Sequence, residues 1–253
     1  MTKILLTNDD GINAPGISAL FKSIEPMGDI TVVAPDTERS AVGHAITLSD
    51  PLRVEKVNKR GKFFGYAVSG TPADCVKIAV WALLEEKPDI VLSGINLGNN
   101  TGISIIYSGT VSAATEGMIL EIPSIAISLA AYKKPDFSYA AKFAKKLINM
   151  VLENGLPVGT LLNVNVPNVP ESEIKGVRIT RQGKAVYREY FDERKDPWGR
   201  SYYWMAGEKV RIKEDDSVDD SALDNNMVSV TPIQFDLTDY SNIELIEKWK
   251  ISK

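Results

Sequence analysis

Five short runs constrain the fold of this 253-residue chain more than anything else in it. Residues 3–7, 30–34, 89–93, 124–128 and 161–166 are rich in β-branched and leucine side chains and are too short for buried helices. Such runs read as strands covered on both faces, the mark of a parallel sheet. Helical patterns lie between them. Pro15 opens one over 15–25, with Ile17, Leu20, Phe21 and Ile24 on one face. Thr71-Pro72-Ala73-Asp74 has the form of a capping box with proline at the first helical position, and Val76, Ala79, Val80, Leu83 and Leu84 follow at helical spacing. Further helices are expected over about 109–120 and 137–153, the second with Ala140, Phe143, Ala144, Leu147, Ile148 and Val151 inward. Strands alternating with helices predict an α/β fold, a parallel sheet wound in the right-handed sense.

From about residue 176 the texture changes. Residues 177–180, 185–187, 202–205 and 228–231 read as strands with an exposed face, and Tyr187, Tyr202, Tyr203 and Trp204 gather there. We expect residues 1–175 to form the α/β core and 176–253 to form β-hairpins appended to it, an oligomerisation arm. The acidic run 215–220 lacks the glycine of an EF-hand loop and reads as a solvated loop.

Composition narrows the chemistry. A net charge of −4 argues against a nucleic-acid polymer as partner. No apolar run approaches the roughly 20 residues that a membrane helix needs, so no membrane partner is expected. The single cysteine, Cys75, excludes an intrachain disulfide framework and fits a reducing, cytoplasmic location. With His44 as the single histidine, no zinc cluster of His and Cys can form, and any metal must be held mainly by oxygen.

Ligands of an open α/β sheet bind beyond the carboxyl ends of its strands. Three polar segments fall there: residues 7–11, residues 35–40, and the glycine-rich loop 94–110. In the first, Asp9 and Asp10 are adjacent carboxylates at a strand end. Two readings are open. Either one caps the helix near Pro15 while the other faces water, or Gly11 turns both toward one cation that offsets their repulsion. The third segment supplies Asn96, Asn99, Asn100, Ser104, Ser108 and Thr110, and it ends where a helix begins. Backbone N–H groups at Ser108-Gly109-Thr110, beside two hydroxyls, suit a phosphate; a plain capped helix is the alternative. Neither G-x-x-x-x-G-K-[ST] nor a strand-linked G-x-G-x-x-G is present, which disfavours a P-loop NTPase and a dinucleotide fold. Carboxylates, amides and hydroxyls are hard ligands for one divalent ion, Mg²⁺, Mn²⁺ or Ca²⁺. Such an ion beside a phosphate pocket suggests metal-assisted phosphoester hydrolysis. His44 is a candidate general acid or substrate-positioning group, against the plainer reading of a partly exposed loop histidine.

The blocks ILLTNDDGINAPGI, VVAPDTERSAVGHAIT, VSGTPADCVKIAV and PDIVLSGINLGNNTGISIIYSGTVSAATEG resemble the signatures of the SurE family of survival-protein nucleotidases, as do TRQGKAVYREYFDERKDPWGRSYYW and VSVTPIQFDLT later in the chain. The resemblance runs in order over nearly the whole sequence. It implies a Rossmann-like core with a C-terminal hairpin region used in homodimers and homotetramers. It implies a divalent-metal phosphatase for nucleoside 5′- and 3′-monophosphates, with short polyphosphate as a further substrate of some members. The family's metal ligands fall on Asp9, Asp10, Ser40 and Asn96, and its phosphate contacts on Asn100, Ser108, Gly109 and Thr110. Two departures lie in the second half: Asn226-Met227 stands where many members have Gly-Tyr, and Gln234 where some carry His.

The expected mechanism is water attack on phosphorus. An aspartyl-phosphate on Asp9 ranks lower, because a carboxylate engaged with an ion is a poorer nucleophile. A haloacid-dehalogenase-like phosphatase would need a D-x-D spacing that Asp9-Asp10 does not supply. The rival from another class is a metal-dependent nucleotide-binding regulator without turnover.

Overall fold

The computed structural model describes residues 1–131, 133–210, 212, 214–249 and 251. The chain begins with β1 (Thr2–Thr7), α1 (Pro15–Ile24) and β2 (Gly28–Pro35), then the hairpin β3 (Val54–Lys59) and β4 (Lys62–Val68). It continues through α2 (Pro72–Ile78), β5 (Ile90–Leu97), α3 (Ser104–Tyr107), α4 (Gly109–Ile119), β6 (Ser124–Ala130), α5 (Ser138–Asn154) and β7 (Leu161–Pro167). The last part holds β8 (Val177–Ile179), β9 (Val186–Lys195), β10 (Ser201–Val210), α6 (Asp219–Asp224), β11 (Val228–Ile233) and α7 (Ile243–Glu247).

Among the described residues, one sheet runs in the order β3-β4-β2-β1-β5-β6-β7-β11-β8. The six strands from β4 to β7 are mutually parallel, with β1 paired to both β2 and β5. The expected α/β fold is therefore the one observed, with β3 and β11 antiparallel to their inner neighbours.

Alternation along β1 shows why these runs had to be buried. Ile4 and Leu6 pack with Ile17, Leu20 and Ile24 of α1 and with the inward side of α5. Leu5 points the other way, into a cluster with Cys75, Val76 and Ala113 from α2 and α4. Both faces of the sheet are covered, so each fully buried leucine contributes about 1.5–3 kcal/mol. Thr71 begins α2 as expected: its hydroxyl accepts from the Asp74 amide, and Asp74 accepts from the Thr71 amide in return.

Three differences from the sequence expectations have clear causes. The β3–β4 hairpin was not anticipated, because its edge strand is Lys- and Glu-rich and joined by Arg60 and Gly61, both with positive φ. Of the strands expected in an appended arm, β9 and β10 do form a separate antiparallel ribbon. However, β8 and β11 join the main sheet beside β7, where the buried Thr180 hydroxyl lies within 2.8 Å of Ser229 Oγ and 2.7 Å of Thr231 Oγ1. The acidic run 215–220 is only half solvated: Asp219 and Asp220 are buried and open α6. At the other end of α6, Asn226 adopts φ +54, a left-handed geometry that asparagine tolerates better than most side chains.

Candidate functional site

The order in which strands are laid down reverses at β1: β2 and β4 add on one side of it and β5, β6 and β7 on the other, and the loops after β1 and β5 converge there. After β1, the buried Asn8 donates through Nδ2 to the Gly11 carbonyl at 2.9 Å, closing a tight turn. Gly11 takes φ +93, which a side chain would oppose. The turn is tied to β2 by the Ile12 amide donating to Pro35 O at 2.9 Å. The N-cap of α1 is Ala14, without a side-chain hydrogen bond, so neither Asp9 nor Asp10 serves as the cap that one sequence reading allowed.

The two carboxylates instead meet different elements. Asp9 is 5% exposed, and its Oδ1 accepts from Thr110 Oγ1 at 2.5 Å, in the first turn of α4. Helix and aspartate approach so closely that a Cβ on Gly109 would lie 2.7 Å from Asp9 Cβ and 3.0 Å from Asp9 Oδ2. Asp10, half-buried, accepts from the Leu97 amide at 3.2 Å at the end of β5. The segment after β2 arrives through the Arg39 amide, which donates to Asp9 O at 2.8 Å.

Burial raises the Asp9 pKa above the ordinary carboxylate range, while the Thr110 hydroxyl and amide counteract it in part. Burial, followed by the charge of Asp9, pushes Asp10 up to about 6. Glu38 adds repulsion to both. Among the described residues, no lysine, arginine or histidine forms an ion pair with Asp9 or Asp10. The pair therefore carries negative charge that a bound cation would neutralise.

The donor set fits a hard ion that keeps part of its water shell. Asn96 Nδ2 donates to Gly98 O at 2.8 Å, which leaves its side-chain carbonyl oxygen as the atom that could face an ion. Ser40 is exposed, and its hydroxyl donates to Glu38 Oε1 at 2.5 Å. Among the described residues no group of three His, Cys, Asp or Glu side chains is placed to hold a metal. Beneath it, Thr7 Oγ1, Asn8 Oδ1 and Ser93 Oγ are buried without a hydrogen-bond partner among the described residues, so the floor of the site is polar.

The residues expected to contact phosphate have partners of their own. The α4 N-terminus holds an anion, and that anion is Asp9. Ser108 caps α4 by accepting from the Val111 amide at 3.1 Å, a bond that leaves its hydroxyl proton uncommitted. Asn100 donates through Nδ2 to Ser128 Oγ at 2.9 Å. Its amide donates to Asn165 Oδ1 at 2.7 Å, and its carbonyl accepts from Asn163 and Asn165, each at 2.9 Å. The next residues of the loop are held from the C-terminal part of the chain. Thr101 Oγ1 donates to Asp220 at 2.8 Å, the Gly102 amide donates to Asp219 at 2.8 Å, and Gln182 Nε2 donates to Gly102 O at 2.8 Å. His44 Nε2 lies 2.9 Å from Glu116 Oε2.

Asn8, Glu38, Glu116, Asn163 and Asn165 were not singled out from sequence. Only the last two carried a usable signal, as two asparagines inside the buried run 161–166.

Comparison with known proteins agrees with this architecture. The family model described as "Survival protein SurE" matches residues 4–189. The chain is 51% identical to 5'-nucleotidase SurE of Syntrophobacter fumaroxidans, over 98% of this chain and 100% of that one. It is also 51% identical to 5'-nucleotidase SurE of Heliobacterium modesticaldum, over 98% and 91% of the two chains. The crystal structure of the SurE protein from Aquifex aeolicus superposes with a TM-score of 0.85 at 44% identity, covering 98% of this chain and 99% of that one. An Asp pair at the switch point of a parallel sheet, a glycine-rich loop leading into α4 and full-length similarity at this level lead to one assignment: the chain belongs to the survival protein SurE family.

Proposed function

We propose that this protein is a divalent-metal-dependent nucleotidase that hydrolyses nucleoside 5′- and 3′-monophosphates to nucleoside and phosphate. The observation that carries the reading is the Asp9–Asp10 couple beside the first turn of α4, Asp9 buried and Asp10 half-buried, with no ion-pair partner among the described residues. Relatives about half identical over nearly full length are named 5'-nucleotidase, which supports the substrate class. Asp9, Asp10, Ser40 and Asn96 would hold one Mg²⁺, Mn²⁺ or Ca²⁺. When bound, such an ion supplies positive charge to a phosphoryl oxygen and acidifies water at neutral pH.

The protein groups have distinct tasks. Thr110, through its hydroxyl and amide, favours the ionised form of Asp9 against the effect of burial and fixes its direction. The Leu97 amide does the same for Asp10. The uncommitted proton of Ser108, the Gly109 amide and the second N–H of Asn100 are the donors for phosphate oxygens, stabilising charge as the ester bond breaks. Water adds to phosphorus, the ester oxygen leaves and takes up a proton, and phosphate is released. Asp9 is already engaged by Thr110, which favours water over the aspartate as nucleophile. The exposed apolar side chains of β9 and β10, the aromatic Tyr190, Phe191 and Trp204 with Met205, support a homodimer or homotetramer, and the buried lone Cys75 suits a cytoplasmic enzyme.

Phosphate release from AMP or GMP with Mn²⁺ tests the proposal. Turnover should vanish with EDTA and in Asp9→Asn. Mn²⁺-dependent nucleotide binding without phosphate release across a panel of nucleotides would replace the enzyme by a binding regulator.

A further inference from the structure

Helix α4 grips the site twice. Seven residues after Gly109, on the same face and about 10 Å along the axis, stands Glu116, with its side chain 2% exposed. Its Oε2 lies 2.9 Å from His44 Nε2, and its Oε1 lies 2.7 Å from Lys77 Nζ on α2. A carboxylate only accepts, so Nε2 of His44 carries the proton. Burial alone would raise the pKa of Glu116, but the hydrogen bonds from His44 and Lys77 hold it below the ordinary range.

His44 belongs to a strap, residues 39–47, that forms no helix or strand. At one end the Arg39 amide donates to Asp9 O, and at the other Thr47 donates through its amide and hydroxyl to Asp74. Between them the Gly43 amide donates to Tyr107 O at 3.0 Å, and Thr71 Oγ1 donates to Ala45 O at 2.7 Å. The Glu116 contact is the charged anchor of this span. It joins the strap to the helix whose first turn holds Asp9. Ser40 sits on the strap, exposed, with Ala41 after it at φ +56, so its direction depends on how the strap is seated.

We propose that Glu116 is a positioning residue which, through His44, seats the 39–47 strap so that Ser40 faces the Asp9–Asp10 couple, with Lys77 balancing its charge. This rests on the assignment of Ser40 as a metal ligand given above. Removing groups that orient a ligand typically weakens metal binding by about 10–100-fold.

The test is Mn²⁺ affinity of the full chain, measured by calorimetry, alongside melting temperature and kcat at saturating Mn²⁺. Ser40→Ala sets the benchmark. Glu116→Ala and His44→Ala should each weaken Mn²⁺ binding about tenfold, the double variant should lose no more than either alone, and His44→Gln, which keeps an N–H donor, should recover most of the loss. Saturating Mn²⁺ should restore kcat. If the Ala variants lower the melting temperature but bind Mn²⁺ normally, or if their effects add, the proposal is overturned. His44→Ala, a substitution in a partly exposed loop, carries the test alone if Glu116→Ala does not fold. Normal binding in His44→Ala with a weakened Ser40→Ala overturns this inference only. Normal binding in Ser40→Ala overturns it together with the ligand assignment, while Asp9→Asn still reports on the nucleotidase reading.

Discussion

Gly109→Ala isolates the contact between α4 and Asp9. A methyl group there would sit 2.7 Å from Asp9 Cβ and 3.0 Å from Asp9 Oδ2. Carbon atoms rest at about 3.5–4.0 Å, so helix and aspartate must part by about 1 Å. Overpacking of this kind costs about 1–3 kcal/mol. Alanine in place of glycine within a helix returns up to about 1 kcal/mol. The net is about 1 kcal/mol, a fall of roughly 2–4 °C in melting temperature for a chain of this size. Function should suffer far more, because a displacement of about 1 Å in a positioned catalytic group costs on the order of 100-fold in rate. Calorimetric Mn²⁺ titration, AMP turnover and thermal melting of the variant would be compared with the parent. A Gly109→Ala protein with unchanged Mn²⁺ affinity and unchanged turnover would refute the view that Asp9 is aimed by the first turn of α4.

Three further outcomes are expected. In metal-free protein, Asp10 titrates near 6 when folded against an ordinary 3.8, so the folded state binds its proton more tightly than the unfolded chain. Its contribution thus disfavours the fold as pH rises from about 4 to 6, by about 1–2 kcal/mol after allowance for its partial exposure. Urea unfolding in EDTA should show this slope relative to Asp10→Asn, and the opposite slope would contradict it. Thr110→Val removes the hydroxyl from Asp9 and should weaken Mn²⁺ about tenfold, with Thr110→Ser restoring it; calorimetry decides. Asn165→Leu strips two hydrogen bonds from the Asn100 backbone and should cost about 2–3 kcal/mol in urea melts, raising KM for AMP while leaving Mn²⁺ affinity intact.

The parallel strands were legible because burial on both faces writes an unbroken apolar run, and the Thr71 box was legible because its spacing is local. The β3–β4 hairpin was not, since Val54, Val57 and their charged neighbours describe an edge whose partner is set by tertiary context. Asp219 and Asp220 looked solvated because nothing nearby in sequence announces the Gly102 amide or Thr101 as partners. The α4 N-terminus shows how far a local rule reaches. Its geometry announces an anion, but proximity in space determined that Asp9 takes up part of it, leaving fewer donors for phosphate than Ser108-Gly109-Thr110 alone suggests.

The clamp on the loop around Thr101 has a consequence for how the protein comes into being on the ribosome. Thr101 and Asp220 are 119 residues apart in the chain. At about 5–20 residues per second, on the order of ten seconds pass between the synthesis of the loop and that of its anchor. During that interval Asp9, Asp10, Ser40 and Asn96 have all been made, while the Thr101 and Gly102 tethers to Asp220 and Asp219 are missing. The loop that follows β5 therefore receives its C-terminal tethers only when the last stretch has been translated, and that stretch sets the moment at which the loop takes its final shape.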